Sequence, residues 1–421
     1  MSNYVNLLRN NPGFARLWLA QVVSLFGDWL SLIVLSALVS RYSEGMAWKG
    51  LAVSGFLLAH FVPPLVFSPW AGVLVDRFNR KRLLIFSDVS RAVVVLLFLL
   101  ADTPDRLWLI YLLTVVQFAL SAVFEPGRSA IMPSLLPESE LVTANTLSSV
   151  TWSVMLAVGA IAGGVIASLF GTAAAFIVDA ASFGLSALLI SQIAYRDDRL
   201  PAKAESTPSD RSFSEGLRYI ARHPATGAAL LIKMGLSLGS IDAVLIIYGT
   251  SLFVMGENGT ISMSILWSAF GIGAIVGPML TNPMNDGSVR VMRRLVIAGY
   301  ILVTIGWFLF GSAPTLVVAA LALVVRAMGG SVNWTYSSVI IQKSVPDKFL
   351  GRMFALDMAG FQLATAASIF ATGHVIDLIG DENVRQVVTG LGYISIIPLI
   401  LWGLAVLWLE RRENAPALAG D

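Results

Sequence analysis

The chain contains no cysteine, which excludes disulfides, zinc–thiolate sites and iron–sulfur clusters. Charge is scarce as well: Asp, Glu, Lys and Arg make up 13% of 421 residues, and there are only three histidines. No group of carboxylates and histidines has metal-ligand spacing, so neither a metal nor another cofactor is expected. The phosphate-cradling pattern G-x-x-x-x-G-K-[ST] and the zinc pattern H-E-x-x-H are both missing. ATP-driven pumping and metal-assisted hydrolysis therefore lack their usual residues, and the chain is not expected to be an enzyme. The formal net charge of +2 says little about partners, and no nucleic-acid partner is expected.

What the chain has in excess is apolar side chain. With 56% hydrophobic residues and a mean hydropathy of +0.77, it carries more than a globular surface can hide. A hydrocarbon core about 30 Å thick needs roughly 20 apolar residues per helix. Twelve apolar runs meet that need, at 14–40, 50–75, 83–101, 107–125, 145–170, 172–194, 225–254, 261–284, 295–312, 314–342, 352–379 and 387–409. The first run is long and contains Asp28, so it reads as a span and not as a cleavable signal.

Between the second and third runs lies Gly72-Val-Leu-Val-Asp76-Arg77-Phe-Asn79-Arg80-Lys81-Arg82. Cations packed into so short a connection mark a cytoplasmic loop. Tracing the chain from that anchor leaves only Arg41, Lys49, Arg106 and Arg385 outside, so both termini are expected in the cytoplasm. The segment matches G-x-x-x-D-R-x-x-R-K-R and resembles the loop between helices two and three of the major facilitator superfamily, with Asn79 where that family more often has Gly. The resemblance implies an all-α membrane protein of 12 transmembrane helices in two pseudo-symmetric six-helix bundles, moving its substrate by alternating access.

The longest polar stretch, Tyr195 to Pro224, divides the runs six and six. The expected organisation is an N-terminal bundle at 1–194, a cytoplasmic linker at 195–224 with an amphipathic helix over 213–222, and a C-terminal bundle at 225–421. Internal repetition supports this division. Leu136-Pro-Glu-Ser-Glu-Leu141 aligns with Val345-Pro-Asp-Lys-Phe-Leu350, Ser24-Leu-Phe-Gly-Asp28 with Ser237-Leu-Gly-Ser-Ile-Asp242, and Arg82-Leu-Leu-Ile with Arg294-Leu-Val-Ile. Parallel repeats of this kind place a substrate site between halves, near mid-membrane.

Charges inside the spans are expensive, about 2.5 to 3.5 kcal/mol each on insertion scales, and normally face a partner or an aqueous cavity. Asp28 lies too deep in the first run for its short side chain to reach the interface. It is the leading candidate for ion coupling, with its repeat counterpart Asp242 and with Arg326, deep in the tenth run. Asp88 and Arg91 are spaced i, i+3 and suit a local pair. Asp179 reads as a packing residue, and Lys233 and Asp357 as groups satisfied near the cytoplasmic side.

By resemblance, Gly72, Asp76, Arg77 and Arg80 form a cytoplasmic gate. In that family the acid, here Asp76, caps the start of the eleventh helix, and a basic residue, here Arg80, pairs with an acid at the end of the fourth, for which Glu125 is the match. Gly159 and Gly163 in the fifth run, and Gly273 and Gly277 in the eighth, present small residues at i, i+4, which lets helices approach closely.

Phe-Gly27-Asp28, the Phe-Glu-Pro-Gly-Arg-Ser-Ala-Ile-Met-Pro stretch from Phe124, Ile177-Val-Asp179-Ala-Ala-Ser-Phe183 and Gly351-Arg352 resemble the macrolide and drug efflux branch, a drug:proton antiporter-like group. Many such antiporters carry an arginine in the fourth helix, and residues 107–125 hold none. The expectation is a secondary active, ion- or proton-coupled multidrug exporter of small amphipathic organic molecules. It is expected to work as a monomer in the lipid bilayer of a bacterial inner membrane. Lysophospholipid flipping and nutrient or siderophore transport stay open on the same fold; a membrane receptor would be expected to carry a larger extramembrane domain.

Overall fold

The computed structural model of the chain describes residues 2–195, 218–239 and 241–414. All regular structure among them is helical. After a short lead helix, Ser2–Asn10, the spans are α1 Pro12–Tyr42, α2 Lys49–Arg77, α3 Arg80–Leu97 and α4 Leu107–Ser121, which bends and continues as Phe124–Ile131. A helical stretch of 51 residues follows, Leu141–Ser191. As one rod it would reach roughly 75 Å, over twice the thickness of the hydrocarbon core. It does not, because Gly171 leaves helical geometry at φ +83° and ψ 167°, a left-handed conformation that only glycine adopts cheaply. The turn separates α5 (141–170) from α6 (172–191). Counted this way, the 11 helical stretches long and apolar enough to cross a membrane become twelve spans.

The second half holds α7, built from Pro224–Leu236, Ile241–Ile247 and the π-turn Tyr248–Leu252; α8 Thr260–Thr281; α9 Val289–Gly311; α10 Leu316–Ser344; α11 Asp347–Ile379; and α12 Val384–Asn414. Large apolar side chains such as Leu169, Phe170, Leu321, Leu363, Leu378 and Leu401 stay exposed. That is costly in water and natural in lipid, where every backbone group must instead be satisfied within the helix. The chain is an integral membrane protein.

Two spans depart from the sequence expectation. The fourth does not stop near residue 125: Pro126 sits in the first turn of Phe124–Ile131, where its missing N–H costs nothing, so it opens a helix instead of closing one. The seventh is not continuous. Gly239 adopts φ +93° and its N–H donates to Ser368 Oγ at 2.8 Å, outside any helical ladder. Of the expected surface helix 213–222, residues 218–222 are helical and the remainder lies outside the described residues.

By Cα proximity the chain separates into two compact units. Unit 1 comprises Met1–Leu200, Ile241–Gly271 and Ile369–Val384, so the N-terminal spans hold the far ends of α7, α8 and α11. Unit 2 comprises Pro201–Ser240, Ile272–Ser368 and Arg385–Asp421. In unit 1, α5 lies hard against α1: a Cβ on Gly159 would meet Trp29 Cβ at 2.8 Å, and one on Gly163 would meet Leu30 O at 2.8 Å. In unit 2, α8 lies equally close to α10, with Val324 O at 2.3 Å from a Cβ on Gly273 and Met328 O at 2.4 Å from one on Gly277. A core around Tyr300, Tyr336, Met353 and Trp402 fills unit 2.

Candidate functional site

In unit 1, five spans converge on buried charge. Asp88 and Arg91 are spaced i, i+3 and share one face of α3, while Asp179, Ser182 and Ser186 form a stripe on α6. Opposite them, α1 carries the small residues Ser24, Gly27 and Ser31 beside Asp28. Gly27 is what lets the helices close: a Cβ there would lie 2.2 Å from Asp179 Oδ1 and from Ser182 Oγ.

Arg91 is the hub. Its Nη2 donates to Asp28 Oδ1 at 2.6 Å and to Oδ2 at 2.8 Å, its Nη1 lies 3.6 Å from Asp88 Oδ1, and its guanidinium rests 4.0 Å from the centroid of the Phe183 ring. Asp88 Oδ2 accepts from Ser186 Oγ at 2.5 Å. Asp179 Oδ2 accepts from Ser31 Oγ, and Ser182 Oγ donates to Asp179 O at 2.7 Å. Asp88 and Asp179 have no exposed surface and Arg91 has 2%, whereas the Asp28 side chain keeps 19%.

The arithmetic of charge decides what this cluster can do. Three carboxyls meet one guanidinium, and ionised acids buried in excess of their cations cost several kcal/mol each. The cluster therefore balances only by taking up protons or another cation. Asp28 is the member open to exchange, since it alone lines a small cavity, about 10 Å³, with Ser31, Leu32, Leu35, Phe56, His60, Gln117 and Phe118. Gln117 Oε1 in that wall is buried and has no hydrogen-bond partner among the described residues. His60 packs its ring on Phe118, centroids 3.8 Å apart.

Asp28 is in the cluster, and its cation is Arg91, which sequence spacing assigned to Asp88 alone. Asp179, read as a packing residue, belongs to the same cluster and interacts electrostatically with both Asp28 and Arg91. The signal that marks it is the facing pair of stripes, Ser24-Gly27-Ser31 and Asp179-Ser182-Ser186. Asp242 stands in the first turn of Ile241–Ile247 in unit 1. Arg326, in unit 2, is buried with its guanidinium 4.3 Å from the Trp307 ring centroid. Unit 2 has its own buried pair: Lys233 Nζ donates to Asp357 Oδ2 at 2.5 Å and Ser338 Oγ at 3.0 Å, over the Trp334 ring.

At the expected gate, Gly72 has open space around it and Arg77 is exposed; the side chain of Asp76 lies outside the described residues. The expected pair of Arg80 with Glu125 is not formed. Arg80 Nη1 donates to Ala130 O at 2.7 Å, and Glu125 is held by Arg128, three residues on along the same helix. A partner one turn away costs less chain ordering than one across the bundle, and the continuation of α4 past Pro126 supplies it. Asn79 caps α3, accepting from Arg82 N–H at 3.1 Å, which accounts for a side chain where glycine is more common. Gly235-Leu-Ser237-Leu-Gly239 spells G-x-S-x-G, but Ser237 is the buried C-cap of Pro224–Leu236, accepts from Thr365 Oγ1 at 2.9 Å, and forms no strand-to-helix elbow.

Twelve apolar spans, with a buried, acid-rich charge cluster inside unit 1, are the features of a membrane transporter. The Major Facilitator Superfamily family model matches residues 17–346 and 258–420, and the chain belongs to that family. It is similar to the uncharacterized MFS-type transporter YfiS of Bacillus subtilis (strain 168), 27% identical with 89% of each chain covered. It is also similar to macrolide efflux protein A of Streptococcus pyogenes, 23% identical with 88% of this chain and 91% of the relative covered. Among solved structures, a bacterial homolog of the human lysosomal transporter Spinster superposes with a TM-score of 0.72 at 14% identity, covering 96% of this chain and 99% of that one.

Proposed function

We propose that the protein is a proton-coupled exporter of amphipathic organic molecules of the macrolide type, working by alternating access between two six-helix lobes in a bacterial inner membrane, with both termini in the cytoplasm. The observation that carries this reading is the charge imbalance around Arg91, with Asp28 as its one partly open acid. A proton on Asp28 frees Arg91 to turn wholly to Asp88, and its loss restores the Asp28 pair. Protonation thus changes which helices are tied together, the differential interaction a ligand needs in order to shift a conformational equilibrium. The similarity to macrolide efflux protein A supports the direction and the substrate class.

The test uses inverted membrane vesicles and a radiolabelled macrolide. An acid-inside gradient should drive accumulation in the wild type, and an uncoupler should abolish it. Asp28→Asn should lose gradient-driven accumulation by tenfold or more, about 1.4 kcal/mol of driving force, yet keep gradient-independent counterflow. Undiminished accumulation in Asp28→Asn removes the cluster from the mechanism.

A further inference from the structure

One acid in unit 1 holds a helix end that its own residues leave open. The first amides of α2 have no side-chain cap, because the residue before it is Trp48. Asp377 of α11 supplies the cap from across the bundle: Gly50 N–H donates to Asp377 Oδ1 at 2.5 Å and Leu51 N–H to Oδ2 at 2.9 Å. The two helices touch backbone to backbone one turn further in, where a Cβ on Gly50 would lie 2.3 Å from Gly373 O. A turn beyond that, Ser54 Oγ donates to Ile369 O at 2.9 Å. Residues 50 and 54 of α2 thus meet 377, 373 and 369 of α11 in an antiparallel ladder. Beside it, Lys49 Nζ donates to Asp381 Oδ2 at 2.8 Å and to Ser251 Oγ at 2.9 Å, and Ser251 Oγ donates to the same Asp381 oxygen at 2.8 Å.

This seam lies one crossing away from the N-terminus, at the opposite end of α2 from the Gly72–Arg82 segment. There the family resemblance has Asp76, near the C-terminal end of α2, capping the start of α11. We infer that Asp377 is the reciprocal latch: α11 caps α2 at the outer end, α2 caps α11 at the inner end, and each carboxylate stabilises one of two alternating states. The inference rests on the alternating-access reading, and concerns which state is favoured, not what ion drives the exchange. An acid at a helix start suits this use, since it satisfies two backbone donors and the helix dipole together yet exposes no unpaired charge to lipid when the end opens to water.

The chain has no cysteine, so a single introduced thiol reports cleanly. Ser54→Cys places it in the ladder, where the native side chain has no exposed surface. A membrane-impermeant maleimide added to right-side-out vesicles then reads outer opening without substrate or gradient, so a failure of proton coupling leaves this test intact. Asp377→Asn should speed labelling roughly two- to thirtyfold, the shift that loss of a helix cap gives a two-state equilibrium. Gly50→Ala should act in the same direction through the close approach, and Asp76→Asn in the opposite one. An unchanged rate in Asp377→Asn overturns the latch. So does equal acceleration at Ala160→Cys, buried in α5, which would mean general loosening.

Discussion

In unit 1, Arg91 answers three carboxyls; in unit 2, Lys233 answers one. Both cations are 2% exposed and both lie over an aromatic ring, Phe183 or Trp334. The difference is stoichiometry. Lys233 and Asp357 cancel, so the pair has reason to stay shut and acts as a tie between α7 and α11. Around Arg91 the acids exceed the cation, and the one acid with some exposure faces a cavity. A membrane protein can afford a balanced pair anywhere, but an unbalanced cluster needs something mobile to complete it.

Removing the hub should have the largest effect. Arg91→Ala leaves three buried carboxyls without a cation, and since breaking one buried pair costs about 3–5 kcal/mol, folded protein should be lost from detergent extracts measured by size exclusion. Folded, active Arg91→Ala would end the comparison. Lys233→Met should cost a similar 3–5 kcal/mol in thermal unfolding, but adding Asp357→Leu should recover most of it, because replacing both members of a balanced pair by apolar groups is often neutral. No such rescue should be found for Arg91→Met with Asp28→Leu, where two acids remain. Gly27→Ala should cost about 1–3 kcal/mol by overpacking, since its Cβ would collide with Asp179 and Ser182.

The smallest effect lies outside the membrane, where a carboxylate has water. Asp286, in the α8–α9 connection, accepts from Ser288, side chain and backbone, which holds it below the usual carboxylate value of about 4. A depressed group stabilises above its unfolded value and loses that contribution as pH falls through the folded one. Asp286→Asn should therefore lower thermal stability slightly at pH 7, and the difference should vanish as pH falls through the depressed value of the folded carboxyl.

The spans were legible because lipid demands continuous apolar helix, and Gly171 marked the one turn hidden inside a helical run. The end of the fourth run was not legible: the helix breaks at Ser121 and resumes at Phe124, with Pro126 tolerated in the new first turn. Asp28 stood out by depth alone. Its partner did not: Arg91 has an acid three residues before it, which satisfies a local account, and only tertiary packing shows which face of α3 meets α1. For the same reason Arg80 and Glu125, matched through family resemblance, each pair elsewhere: Glu125 with Arg128 one turn on, Arg80 with the Ala130 carbonyl. Sequence reports how deep a charge lies far better than whom it faces.

Counting protons against macrolide molecules puts the coupling at Asp28 to the test. Wild-type protein in sealed proteoliposomes, with no gradient imposed, would be given a labelled macrolide on one side while a trapped dye reads internal pH. Proton-coupled export gives a pH change that tracks macrolide flux and vanishes in Asp28→Asn. Macrolide movement with internal pH flat would contradict it.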